Sequence, residues 1–251
     1  VDPQSFGLWM KMLAALPDSI AADPVKADTW DGMLDMAMVY ENVPVSIVFG
    51  SNQGFSTAPT LALTALLADE PLAGAIRQQL LDATALLIET EGVYGSGDDL
   101  TAAVRLRTLL LMYDMVFAEA DSQLTADLLE EVRDYVRTMT TDFLFYRGLY
   151  NPYGSNHGIA IGATLIRAEL CLRDDWPGDT LLTIARILGE QLVAKGMTDL
   201  LGSDGSYGEG GLYLAYSYRF LAPVYEAVYR LDGEQLWDEA RLQATLEWAA
   251  Y

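Results

Sequence analysis

His157 is the only histidine among the 251 residues, and it follows Ser155-Asn156 at the end of a stretch rich in Tyr, Gly and Pro, Leu149–Gly158. Imidazole is the side chain best suited to exchange a proton near neutral pH. A second unusual segment starts 47 residues later (204 − 157): Asp204-Gly205-Ser206-Tyr207-Gly208-Glu209-Gly210-Gly211-Leu212-Tyr213. Its glycines let backbone approach a ligand closely, and between them stand the phenols of Tyr207 and Tyr213 and the carboxylate of Glu209. It lacks the Gly-Lys-Ser/Thr ending of a phosphate loop. Together the two segments hold an amide, an imidazole and several phenols, groups that can move protons and bind a carboxylate. Tyr153 and Tyr216 add flat faces suited to a sugar ring, and Tyr216 shares a helix face with Tyr213, three residues earlier. The competing reading is structural: Asn156 as a helix cap, His157 as an incidental loop residue, the glycines as a flexible connection and the tyrosines as packing.

These groups must be positioned by helices. Apolar residues recur at spacings of three and four in Leu8–Leu16, Trp30–Val39, Thr60–Leu67, Ala73–Ile88, Leu100–Phe117, Leu124–Phe145, Ile159–Leu172, Leu181–Met197, Tyr213–Leu231 and Leu236–Trp248. Gly, Pro, Asp and Ser punctuate between them. Thr125 reads as an N-cap, and Pro223 is expected to kink or split the ninth helix. Val45–Phe49 is the one strand-like run. The pattern predicts an all-α fold. Helices that are apolar over much of their circumference suit an incomplete (α/α) toroid of about ten helices, in which each packs on two neighbours; a globin-like or solenoid packing is the alternative, and the lack of a clean sequence repeat speaks against the solenoid.

Composition narrows the partners. The formal net charge is −21, from 36 acidic and 15 basic side chains, which argues against nucleic acid and anionic membranes. No apolar run reaches the roughly 18–20 residues of a membrane span. A polyanionic ligand would need a local cationic patch, for which Arg105, Arg107, Arg147 and Arg219 are the candidates; the first 76 residues offer only Lys11 and Lys26. Cys171 stands alone and reads as a small buried apolar residue. No Cys/His cluster suggests a metal, and no cofactor is expected.

Arg105-Leu106-Arg107 through Tyr113-Asp114, then Ser155-Asn156-His157, then Asp204-Gly205-Ser206-Tyr207 with Glu209-Gly210 and Tyr213 form an ordered set across the middle of the chain. In this order they resemble the α/α-toroid domain of the heparinase II/III-like and alginate lyase superfamily of polysaccharide lyases. The resemblance implies that Asn156 binds a uronate carboxylate while His157 and Tyr213 transfer protons, with Tyr153, Tyr207, Glu209, Tyr216, Arg107 and Arg219 as candidate contacts to an acidic polysaccharide or oligosaccharide. It also implies a periplasmic or extracellular location. Many relatives continue into a β-sandwich. The chain opens at Val1-Asp2-Pro3 and ends in helix-like sequence, so residues 1–251 are expected to be the toroid part of something longer. Two rival expectations stand beside this one. The first is an α/α-barrel glycoside hydrolase pairing Glu209 with Asp204 or Asp98, and the second a non-catalytic carbohydrate-binding domain.

Overall fold

The computed structural model describes residues 17–40, 52–90, 92, 99–116, 122–142, 155–236 and 239–249. The helical expectations for Leu8–Leu16 and the strand-like run Val45–Phe49 lie outside them. The fold is all-α: α1 (Pro24–Tyr40), α2 (Asn52–Leu67), α3 (Leu72–Thr90), α4 (Asp99–Val116), α5 (Ser122–Asp142), α6 (Asn156–Leu172), α7 (Thr180–Leu200), α8 (Gly211–Asp232) and α9 (Glu239–Ala249), preceded by a helical turn over residues 17–22. Among the described residues the only β pairing is an isolated bridge between Leu201 and Tyr207, and no helix is long and apolar enough to cross a membrane.

The chain divides into two compact units. Val1–Gly95 with Thr108–Glu131 forms the first, and Ser96–Arg107 with Val132–Tyr251 the second. In the first, α2 packs on α3 and α1 lies against both. Its core includes Leu61, Ala65, Ile76, Leu80 and Leu87. Arg77 donates to the Ala65 carbonyl at 2.9 Å and pairs with Glu70, which fixes the turn between α2 and α3.

The second unit is built around α6. Its sequence, NHGIAIGATLIRAELCL, is apolar on every side, and its buried residues run almost without break from Asn156 to Ala168. It packs most extensively on α7 and next on α8. The α6–α7 crossing is set by glycine. A Cβ on Gly162 would stand 2.7 Å from the Gly189 carbonyl oxygen, and one on Gly189 would stand 2.6 Å from the Gly162 carbonyl oxygen. Two turns farther along α7, a Cβ on Gly196 would meet Ile159 at 2.5 Å. The C-terminal end of α6 is tied by charge: Arg186 of α7 pairs with Glu169 at 3.3 Å, Asp232 at 3.1 Å and also Glu190, while Arg173 takes Asp232 at 2.7 Å. Burial pushes the Glu169 carboxyl up, against the pull of Arg173 and Arg186. α7 itself starts on Asp179, whose Oδ1 accepts the N–H groups of Leu181 and Leu182.

Three local expectations are corrected. Asn156 is the first residue of α6 and not its cap; Ser155 holds the extended cap position (φ −136°, ψ 159°) and makes no side-chain capping bond. Thr125 is no cap either, because α5 already begins at Ser122. Pro223 does not split its helix: α8 runs unbroken from Gly211 to Asp232. A proline removes the hydrogen bond to the carbonyl four residues back, here that of Arg219. Arg107 of α4 supplies the missing donor, Nη1 lying 3.3 Å from the Arg219 oxygen. Cys171 proves half-buried.

If the glycine crossing sets the α6–α7 distance, Gly162→Ala must force the helices apart. The cost is expected to be about 1–3 kcal/mol, outweighing the gain of roughly 1 kcal/mol that alanine brings to a helix. Gly32→Ala on α1, where an added Cβ meets nothing within 4 Å, is expected to stabilise by about 0.5–1 kcal/mol instead. Denaturant unfolding of the two variants checks both signs.

Candidate active site

The N-terminus of α6 places Asn156 and His157 side by side, and each is held from a distant part of the second unit. The backbone N–H of Asn156 donates to Glu209 Oε2 at 3.1 Å. Glu209 thus does for α6 what a local cap does elsewhere: it satisfies an orphan N–H and sets a negative charge at the positive end of the helix dipole. This contact joins the two segments that the sequence singled out, although 53 residues separate them. Asn156 is buried at 5% exposure.

His157 is anchored from α4. Its Nδ1 lies 3.1 Å from Asp99 Oδ1, with the Asp99 side chain 8% exposed and the imidazole 39% exposed. An ionised carboxylate only accepts, so Nδ1 carries the hydrogen, and in the neutral ring Nε2 is the basic nitrogen. Asp99 also accepts the Leu100 N–H at 3.0 Å. A carboxylate behind one ring nitrogen fixes both the tautomer and the ring orientation, as in hydrolytic triads. The pairing of Asp99 with His157 across 58 positions had no local signal beyond the acid's place at a helix start.

The Asp204–Tyr213 segment is a hydrogen-bonded turn and not a slack connection. Gly208 N–H returns to the Leu200 carbonyl at 2.7 Å, Gly202 N–H to Ser206 at 2.8 Å and Gly210 N–H to Tyr207 at 2.8 Å. Asp204 Oδ1 accepts both the N–H and the hydroxyl of Ser206, and those bonds hold its carboxyl below the usual range. Gly205 takes φ +84°, and a Cβ there would lie 2.2 Å from the Ala244 carbonyl oxygen of α9, so the turn is seated on that helix. Tyr207 is buried, and its hydroxyl lies 2.8 Å from the buried Ser217 Oγ. Its phenol anchors the turn to α8.

α8 then leads away from the turn. Tyr213 is 47% exposed, and Tyr216 is half-buried with its ring centroid 5.4 Å from that of the buried Phe220. Tyr213, Tyr216 and Phe220, at spacings of three and four, form one face that passes from solvent into the core. At its inner end the Arg107 guanidinium carbon lies 4.9 Å from the Phe220 ring centre. Arg219 is exposed and lends its carbonyl to Arg107. The structure therefore brings Asn156 to Glu209, His157 to Asp99, and Arg107 to Arg219. Tyr153, Arg147 and Asp98 lie outside the described residues.

No protein-family model, curated protein or solved structure matches this chain.

The buried Tyr207–Ser217 pair makes two checkable statements. Tyr207→Phe leaves the Ser217 hydroxyl buried without this partner and is expected to cost about 1–3 kcal/mol, while Tyr207→Phe with Ser217→Ala recovers part of that loss. Burial also pushes the Tyr207 phenol up to about 12, the Ser217 bond pulling the other way. An unfolded tyrosine titrates near 10. The folded state therefore holds its proton longer, and stability should fall as pH rises from about 10 to 12. That part of the alkaline loss should be absent in Tyr207→Phe, as read by denaturant melts across this range.

Proposed function

We propose that this chain is the helical, toroid part of a polysaccharide lyase that cleaves a uronate-containing glycan by β-elimination. The observation that carries the reading is the Asp99–His157 pair: one half-exposed imidazole, oriented by a buried carboxylate, with a desolvated amide next to it in sequence. The resemblance of the three ordered motifs supplies the reaction class.

The reaction removes the proton on the carbon beside the uronate carboxylate, then expels the 4-linked oxygen as the C=C bond forms. That proton is weakly acidic while the carboxylate keeps its charge. An amide donating to the carboxylate, the role of Asn156, stabilises the charge that develops on it. A base must reach the carbon-bound proton and an acid must meet the departing oxygen. His157 Nε2, with its lone pair, and the Tyr213 hydroxyl fill the two roles, and the stereochemistry of the sugar decides which acts as base. Where Nε2 takes the proton, the Asp99 carboxylate faces the positive charge that the ring acquires.

Two features favour this reading over a hydrolase. A glycosidase needs one carboxylic acid kept protonated by a raised pKa. Asp204 is held the other way by Ser206, and Glu209 is engaged with the Asn156 N–H.

The test is direct. The full-length protein incubated with a panel of uronate polysaccharides should release product that absorbs at the ultraviolet edge, from a C=C bond conjugated to the carboxylate. New reducing ends without that absorbance would establish hydrolysis instead. His157→Ala and Tyr213→Phe should each lower turnover by about 10²–10⁴-fold, the range for a positioned acid or base. Their effects should combine less than additively if both serve one step. Tyr213→Phe removes only a hydroxyl from a half-exposed ring, so its unfolding midpoint should stay unchanged; full turnover in this variant would reject Tyr213.

A further inference from the structure

Arg107 lies eight residues beyond Asp99 on α4, about 12 Å farther along the helix axis. It is 8% exposed. Its guanidinium makes two contacts, the Arg219 carbonyl at 3.3 Å and the face of Phe220 at 4.9 Å. Both are neutral, so neither balances the charge. Its Nε is buried and has no hydrogen-bond partner. The charges felt at Arg107 are those of Arg219 and of Arg167, which is 9% exposed on α6, and against them that of the Tyr216 phenol. Burial first, and then these two arginines, bring Arg107 down to about 10.

This placement runs against the rest of the chain. Acids outnumber bases 36 to 15, yet one buried guanidinium keeps an idle donor and has two cations as electrostatic neighbours. A buried charge is ordinarily paired, and a buried donor ordinarily has an acceptor. The local structure also aims Arg107 deliberately, since Pro223 frees the one carbonyl that holds it. Among the described residues no carboxylate pairs with Arg107, and what it lacks is an anion with acceptor oxygens. A planar carboxylate suits a guanidinium fork best.

We propose that Arg107 is the core of an anion-binding subsite that takes the carboxylate of a sugar acid at the inner end of the Tyr213–Tyr216–Phe220 face. It is distinct from the Asn156–His157 end of α6, and it would hold a carboxylate other than the one at which elimination occurs. The choice of a sugar acid as ligand rests on the lyase reading; the anion site itself does not.

The experiment measures thermal unfolding of the protein with sodium glucuronate as probe, at ionic strength matched with sodium chloride, and with glucose and sodium sulfate as parallel arms. Glucuronate should raise the midpoint saturably, glucose should not, and sulfate should act more weakly. Arg107→Met should lose the response to glucuronate, and Arg107→Lys should weaken the apparent affinity about 10- to 100-fold, as expected for lost charge-assisted hydrogen bonds. In chloride alone, Arg107→Met loses the bond to the Arg219 carbonyl but also removes a buried charge that lacks a counter-ion, so its midpoint should stay close to the parent's. An unresponsive parent protein, an equal response in Arg107→Lys, or sulfate outperforming glucuronate would each overturn the proposal. Should Arg107→Met fail to fold, a structural role is favoured and the Arg107→Lys titration decides. Loss of turnover in His157→Ala with glucuronate binding intact leaves the subsite standing; intact elimination without glucuronate binding removes the subsite alone.

Discussion

The second unit depends on how closely α6 and α7 approach. With Gly162 and Gly189 opposite each other, each backbone comes within what would be 2.6–2.7 Å of the other's missing Cβ. That proximity leaves the middle of α6, Gly158 to Ala168, no face for water, and burial then dictates what its ends can carry. Any polar group on such a helix must find a partner from another element. The C-terminal end finds Arg186 and the acids around it. The N-terminal end finds Glu209 and Asp99. The candidate chemistry thus sits at the one place where a desolvated helix has to open toward polar groups.

Electrostatics at that end follow the same logic. The α6 dipole presents its positive pole where Asn156 begins the helix, and the chain answers with Glu209. Asp99, at the start of α4, serves its own helix through Leu100 and the imidazole through Nδ1. One carboxylate anchoring both a helix start and a ring is a rigid support, and rigidity of the supporting group is what acid–base catalysis requires. At the inner end of α8, Pro223 and Arg107 make a similar exchange: the helix loses a donor and a guanidinium from α4 replaces it.

What the sequence disclosed follows from which interactions are local. Helical periodicity in Ile159–Leu172 or Leu181–Met197 needs only neighbours three and four residues away, and these helices stand within a turn of where the pattern placed them. The start of α6 was missed by three residues because its cap is Glu209, 53 residues distant, and no local motif announces it. Pro223 misled for a related reason: the rule that proline breaks a helix assumes that the freed carbonyl finds no other donor. Asn156, His157 and the glycine-rich turn were legible through unusual residue types. The support from Asp99 was not, because it is a contact between elements. Arg167 is a cation inside an apolar run, and its charge opposes that of Arg107 across the space between α6 and α4.

The central claim is that the imidazole of His157 lies where a uronate binds. Because the chain has one histidine, its ring protons give one set of imidazole resonances, and these can be followed as saturated uronate oligosaccharides are added. A saturable shift is expected with at least one uronate oligosaccharide, and none with a neutral oligosaccharide of the same length. A resonance unmoved by every uronate tested, or moved equally by neutral sugars, would contradict it.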